Sequence, residues 1–234
     1  MPSTAETHLV RELERAQRLH DQRKASPGLA SALDRLARWQ SQRLNATYAD
    51  LARDPRYAAA IRFFQADLYG PGDYSRRDAD LVRVVPLMAR LLPEGVIATI
   101  AKAIELSALS HELDRRLLVE LGQDSPLTVR SYCAAYRACG NRADRERQIA
   151  LIVEVGSALD RYVHLPLLRS ALAAMRRPAR IAGLGALQEF LERGLLSFRG
   201  MNGAAEFLQV LEARETALMR AILDGDDAPF AEPA

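Results

Sequence analysis

Apolar residues recur at intervals of three and four along nearly the whole chain, the period of helices that each bury one face. Residues 4–25 place Leu9, Leu13, Ala16 and Leu19 in a narrow stripe among charged neighbours, which predicts a surface or arm-like helix. Ser26-Pro27-Gly28 interrupts it. Leu29, Leu33, Leu36, Leu44, Tyr48 and Leu51 mark a second helix over 29–53, with Trp39 or Gln40 filling the stripe between Leu36 and Leu44. Asp54-Pro55 supplies a cap and an early helical proline for a third, which carries Tyr57, Ile61, Phe64 and Leu68 and stops at Gly70-Pro71. A fourth begins near Ser75 and holds Leu81, Val84, Val85, Met88 and Leu92, with Pro86 as a kink point.

Residues 95–121 are the most apolar, with Ile97, Ile100, Ile104, Leu109, Leu113, Leu117 and Leu121 reaching around much of the helix circumference. That helix is expected at the centre of the fold. Further helices are predicted over 126–139, 142–163, Pro166 to Arg177-Pro178, 179–199 and 204–223. Gly183, Gly185 and Gly194 fall in or near the 179–199 helix, where small residues let helices approach closely. The closing "DGDDAPFAEPA" reads as a frayed tail. There is no fixed-period repeat and no Pro/Gly/Ser-rich linker. The fold class is therefore all-α: a single compact bundle of nine or ten helices over 28–224, a peripheral amphipathic helix over 1–27, and a disordered tail over 225–234.

Composition agrees, since Ala, Leu, Arg, Glu and Gln dominate and aromatics are only 6%. The net charge of +2 is too small to demand a polyanionic partner. Arginines are interleaved with acids along the chain rather than gathered on one face, which argues against nucleic acid. The densest basic runs, Arg142/Arg145/Arg147 and Arg176/Arg177/Arg180, have helical spacing and read as solvated faces. Cys133 and Cys139 lie about 9 Å apart along a helix, beyond disulfide reach, and are expected as reduced, buried thiols. No run is long enough to span a bilayer, and the N-terminus has no apolar signal region. The expected location is the cytoplasm.

One stretch departs from the rest: "FFQADLYGPGDYSRRDAD" at 63–80 gathers aromatic, acidic, basic, glycine and proline residues. Much of it has a structural reading. Gly70-Pro71 is a helix stop, Gly72-Asp73 is turn chemistry, and Ser75-x-x-Asp78 has the form of a capping box. Asp67, Tyr69 and one of Arg76 or Arg77 are left, either as a buried network tying the corner together or as groups facing a ligand. The string Phe63-Phe64-x-x-Asp67-Leu68-Tyr69-Gly70-Pro71-x-Asp73-Tyr74-x-x-Arg77-Asp78, with "LMARLLP" following, resembles the FFxxDLYGPxDxxxRD signature of an uncharacterised family of helical bacterial proteins. The likeness continues through "ALSHELD" (108–114) and "RRPARIAGLGALQEFLERGLLSFRGM" (176–201), so it covers most of the chain after about residue 35. It implies a helical fold and brings no activity with it.

Candidate chemistry is sparse. His8 and His20 sit on the charged first helix and are expected in solvent. His164 follows Asp160 by four residues and shares its face, giving two metal ligands where a site needs three or four. His111, on the long apolar helix, is the candidate axial ligand for haem, with His164 second; no cofactor is otherwise expected. There is no G-x-S-x-G elbow, and "GLG" at 183–185 does not follow a strand as a dinucleotide loop would. The candidate ligand-binding residues are Asp67, Tyr69, Arg77 and His111. The leading expectation is a non-enzymatic regulatory or scaffolding protein that binds another protein or a second copy of itself through the N-terminal helix. The alternative is a small-molecule protein, for haem or a lipid-like ligand, with a pocket among the helices. A deep cavity favours the alternative and a filled core favours the first.

Overall fold

A computed structural model describes residues 3–63 and 93–233. Among them are ten α-helices and no strand: α1 (Thr4–Lys24), α2 (Pro27–Thr47), α3 (Ala49–Arg53), α4 (Ala58–Phe63), α5 (Glu94–Leu121), α6 (Val129–Ala138), α7 (Arg142–Val163), α8 (Pro166–Ile181), α9 (Gly185–Gly200) and α10 (Ala205–Leu223). The helix predicted from Ser75 lies outside the described residues. No helix among those described is long and apolar enough to cross a membrane.

Local chemistry sets the helix ends. Ser3 and Glu6 form a capping box on α1, each side chain accepting from the other's backbone N–H at 3.2 and 2.8 Å. Ser26 caps α2 and Pro27 occupies its first turn, so the tripeptide that breaks one helix also starts the next. The predicted 29–53 helix is two pieces, because Tyr48 leaves helical geometry between α2 and α3 and turns its hydroxyl to Glu215, 2.8 Å away. Helix α8 runs past Pro178 to Ile181. It stops where Gly183, at φ 75°, closes the turn with Gly183 N–H donating to Arg180 O and Leu184 N–H to Ala179 O. Gly183 is thus a stop rather than a packing residue. Close approach falls to Gly194 of α9, where an added Cβ would lie 2.9 Å from Phe63 Cζ of α4, and to Gly156 of α7, where it would lie 2.6 Å from Leu208 Cδ2 of α10.

Helix α5 is central, touching α1, α2, α6 and α7. Helix α1 lies along it rather than standing off as an arm. Ala5, Leu9 and Leu13 are buried against Ile97, Ala101 and Ile104, and the Arg15 guanidinium grips both oxygens of Glu112 on α5 at 2.8 and 2.6 Å. The stripe that suggested a partner is therefore used within the chain. His8, expected in solvent, is half-buried with Nε2 3.2 Å from Glu105 Oε2.

Two further clusters make up most of the core. One joins Leu36 and Trp39 of α2, Leu117 and Leu121 of α5, Tyr132 and Tyr136 of α6, Ile149 of α7 and Met219 and Ile222 of α10. The other joins Tyr48, Tyr57, Ile61, Ile152, Phe198, Phe207, Leu208 and Leu211. They meet along α7 and α10, and polar side chains sit at the junction.

Candidate functional site

The junction holds a partly open cavity of about 130 Å³ between α2, α5, α6, α7 and α10. Its apolar wall includes Leu44, Ile149, Ile152, Phe207, Leu211 and Met219. Its polar wall is built from Gln40 and Arg43, Ser110 and Asp114, Arg145 and Gln148, and Glu215. The hydroxyl-bearing Tyr48, Tyr132 and Tyr136 complete it. In sequence these polar residues are far apart. Each pair occupies one helix at a spacing of three or four, so each helix presents two polar groups to the same interior point.

Part of this wall satisfies itself. Arg43 and Glu215, with side chains only 13% and 18% exposed, pair in a two-pronged contact at 2.8 and 3.2 Å. Tyr48 donates its hydroxyl to the same carboxylate. Burial opposes the Arg43 charge, but Glu215 more than offsets it and the Arg43 pKa is raised. Gln148 donates to Ser110 Oγ at 2.8 Å, and Gln40 donates to Asp114 Oδ1 at 3.0 Å. Burial pushes the Asp114 carboxyl up, and Gln40, Arg145 and His111 offset this only in part. Burial likewise raises the Tyr132 and Tyr136 hydroxyls, so both stay protonated donors.

Arg145 is different. It is 5% exposed, lies over the Tyr136 ring with Cζ 4.4 Å from the centroid, and makes one long hydrogen bond, Nη1 to Gln148 Oε1 at 3.3 Å. Its Nε and Nη2 have neither a hydrogen-bond partner nor solvent contact. One turn earlier, Asn141 is 8% exposed with both side-chain amide atoms also unpartnered. The stacking on Tyr136 helps the charge but answers no directional N–H bond.

The tail meets the cavity as well. Phe230 lines it, with its ring 6.0 Å from Trp39, 6.3 Å from Tyr132 and 5.9 Å from the Arg43 guanidinium carbon. Glu232 accepts from Val129 N–H at 3.0 and 3.1 Å, placing a carboxylate at the positive end of α6. Arg137 holds the carbonyls of Ile222 and Asp226, both at 3.1 Å, and the Asp227 carboxylate. Against the expectation of fraying, residues 226–232 carry these side-chain anchors.

Of the candidate ligand residues, Asp67, Tyr69 and Arg77 lie outside the described residues, as does the corner beyond Phe63. Phe63 itself is buried against Phe190, ring centres 5.4 Å apart. His111 is half-buried on α5, one turn before Asp114, and does not line the cavity. The cavity, at about 130 Å³, is smaller than the several hundred Å³ common in sites for larger organic ligands. Among the described residues no three His, Cys, Asp or Glu gather as metal ligands. His164 and Asp160 share a face as read, at 3.8 Å. Cys133 and Cys139 are both free, and burial pushes the Cys133 thiol up to about 11. The basic run at 142–147 is not one solvated face. Arg142 is exposed, but Arg145 is buried and Arg147 pairs with Glu105 and Glu154.

Fold and site together define an all-α protein with a polar-walled internal cavity. Residues 19–229 match the model of a domain of unknown function, DUF8198, and the chain belongs to that family. No curated protein and no solved structure matches the chain.

Proposed function

We propose that this chain is a binding protein for a small organic molecule held between α2, α5, α6, α7 and α10, acting by binding or sensing without a chemical step. The observation that carries the reading is Arg145, a buried guanidinium in the cavity wall with two nitrogens, Nε and Nη2, unanswered by the chain. A buried polar group without a partner costs about 1–3 kcal/mol, and more when charged, so such an arrangement is stabilised when a second molecule supplies the acceptor. The cavity volume sets the scale. About 130 Å³ is close to the roughly 150 Å³ that admits benzene into an engineered apolar cavity. The rival reading, a scaffold acting through a protein partner or a second copy, loses its main support because the stripe of α1 is buried on α5.

The test is thermal unfolding of the full chain against benzene-sized and smaller amines, alcohols, amides, sugars and carboxylates, with native mass spectrometry for retained ligand. A binder at a hundred times its Kd adds about 2.7 kcal/mol. The variant Leu211→Trp, which fills the cavity, should lose that response. If no compound class stabilises the wild type, or if Leu211→Trp responds unchanged, the reading fails.

A further inference from the structure

We infer that the ligand is a small monocarboxylate with an apolar, ring-sized body, its carboxylate taken by the Nε/Nη2 edge of Arg145. This rests on the small-molecule reading above and names the class of molecule. The chain itself shows what that edge of an arginine does here. Arg15 uses Nε and Nη2 to hold the two oxygens of Glu112 at 2.8 and 2.6 Å. Arg147 uses the same two nitrogens on Glu105 at 2.9 and 3.1 Å. A guanidinium edge presents two parallel N–H bonds that match a carboxylate. On Arg145 this same pair is the one without partners, and it is more deeply buried than on the other two.

The surroundings favour an anion over a cation. Glu215 is already committed to Arg43 and Tyr48, which leaves Arg145 and Asp114 as the charged groups not joined in an ion pair within the wall. Asp114 already accepts from Gln40 at 3.0 Å, whereas Nε and Nη2 of Arg145 have no acceptor, so what is left to be answered at this end of the cavity is a donor. The apolar lining, which includes Ile149 and Ile152 further along α7 and Phe207 and Leu211 of α10, receives the apolar body. Arg145 makes a single long hydrogen bond, to Gln148, and otherwise rests on the Tyr136 ring, so a turn of its edge in the plane of that stacking gives up one weak bond. The Nε and Nη2 atoms have no solvent contact as they stand, and binding therefore includes that small rotation.

Calorimetric titration of the full chain with benzoate, benzamide and benzyl alcohol tests the class, because the three share a ring and differ in charge. Benzoate should bind at least about tenfold tighter than benzamide, the lower end of the range for a charge-assisted bond. Arg145→Met should erase that preference, so that benzoate binds no tighter than benzamide. Arg145→Lys keeps the charge but not the fork and should retain only part of the preference. If Arg145→Met does not fold, the wild-type series still decides. Equal affinities for benzoate and benzamide overturn the carboxylate assignment and leave small-molecule binding standing. If none of the three binds but another class stabilises the chain in the preceding test, the assignment falls alone; if nothing binds in either test, both fall.

Discussion

Glu215→Leu puts the reading of the cavity wall at risk most directly. In the native chain Arg43 and Glu215 are well shielded, at 13% and 18% side-chain exposure. Three N–H···O contacts between 2.8 and 3.2 Å join them, and the Tyr48 hydroxyl adds a fourth to the carboxylate. Removing the carboxylate strands a guanidinium beside the ring of Phe230, where no other acid among the described residues is paired with it. Breaking a buried pair in this way costs about 3–5 kcal/mol. For a domain of this size each kcal/mol moves Tm by about 2–4 °C, so Glu215→Leu should lower Tm by roughly 6–20 °C. Arg43→Met alone should also destabilise, by leaving the carboxylate buried. The double variant Arg43→Met/Glu215→Leu removes both charges, and such replacements are often neutral or stabilising. Urea unfolding of the wild type, both singles and the double forms a complete cycle, with an expected coupling of at least about 2 kcal/mol. Additive losses, or a Glu215→Leu cost under about 1 kcal/mol, would refute the claim that this pair is buried and mutually dependent.

Three other outcomes follow from the same wall. Asp114→Asn should raise stability at pH 7–8, because a carboxyl raised above its unfolded value near 3.9 makes the folded state bind more protons, so stability falls as pH rises through the folded pKa. Asn keeps an acceptor for Gln40 and does not titrate, so thermal unfolding curves of variant and wild type should converge near pH 4 and separate above it; a constant gap contradicts the burial argument. Phe230→Ala should cost about 2 kcal/mol, roughly half the 3–5 kcal/mol of a fully buried phenylalanine, and should expose the tail to limited proteolysis; a tail cut equally fast in both proteins would show that its anchors do not hold it. Gly156→Val should cost about 1–3 kcal/mol by overpacking against Leu208, as read from urea unfolding, whereas an unchanged midpoint would mean α7 and α10 are not so closely packed.

The helical architecture was legible because each long helix carries its own record. The period of three and four gives the face, and Ser, Pro and Gly mark the ends. The 142–163 helix appears at its predicted bounds, and the broadly apolar 95–121 segment is the central α5. The misreadings are of another kind. Gly183 reads equally as a packing residue or a stop, and φ decides it. The stripe of α1 reads equally as a partner face or a core face, and only the position of α5 decides that.

The cavity was harder to see for a specific physical reason, and the reason points to what to look for. Arg145 precedes Ile149 by four and Ile152 by seven, so it stands in phase with the buried stripe of its helix. Glu215 stands likewise between Leu211 and Met219, and Gln40 and Arg43 follow Leu36 by four and seven. A charged residue in phase with an apolar stripe is forced inward by the helix it sits on, and burial without a partner is costly. Such a residue must find an opposite charge on another helix, as Arg43 finds Glu215, or be answered from outside the chain. One sequence shows the phase but not the pairing, since Arg43 and Glu215 are 172 residues apart. Reading Arg142, Arg145 and Arg147 together as one basic run hid the phase of the middle one. Once Arg43 and Glu215 are matched to each other, Arg145 and Asp114 are the charged groups of this wall outside an ion pair, and the unanswered guanidinium edge, rather than any motif, is what carries the proposal for this cavity.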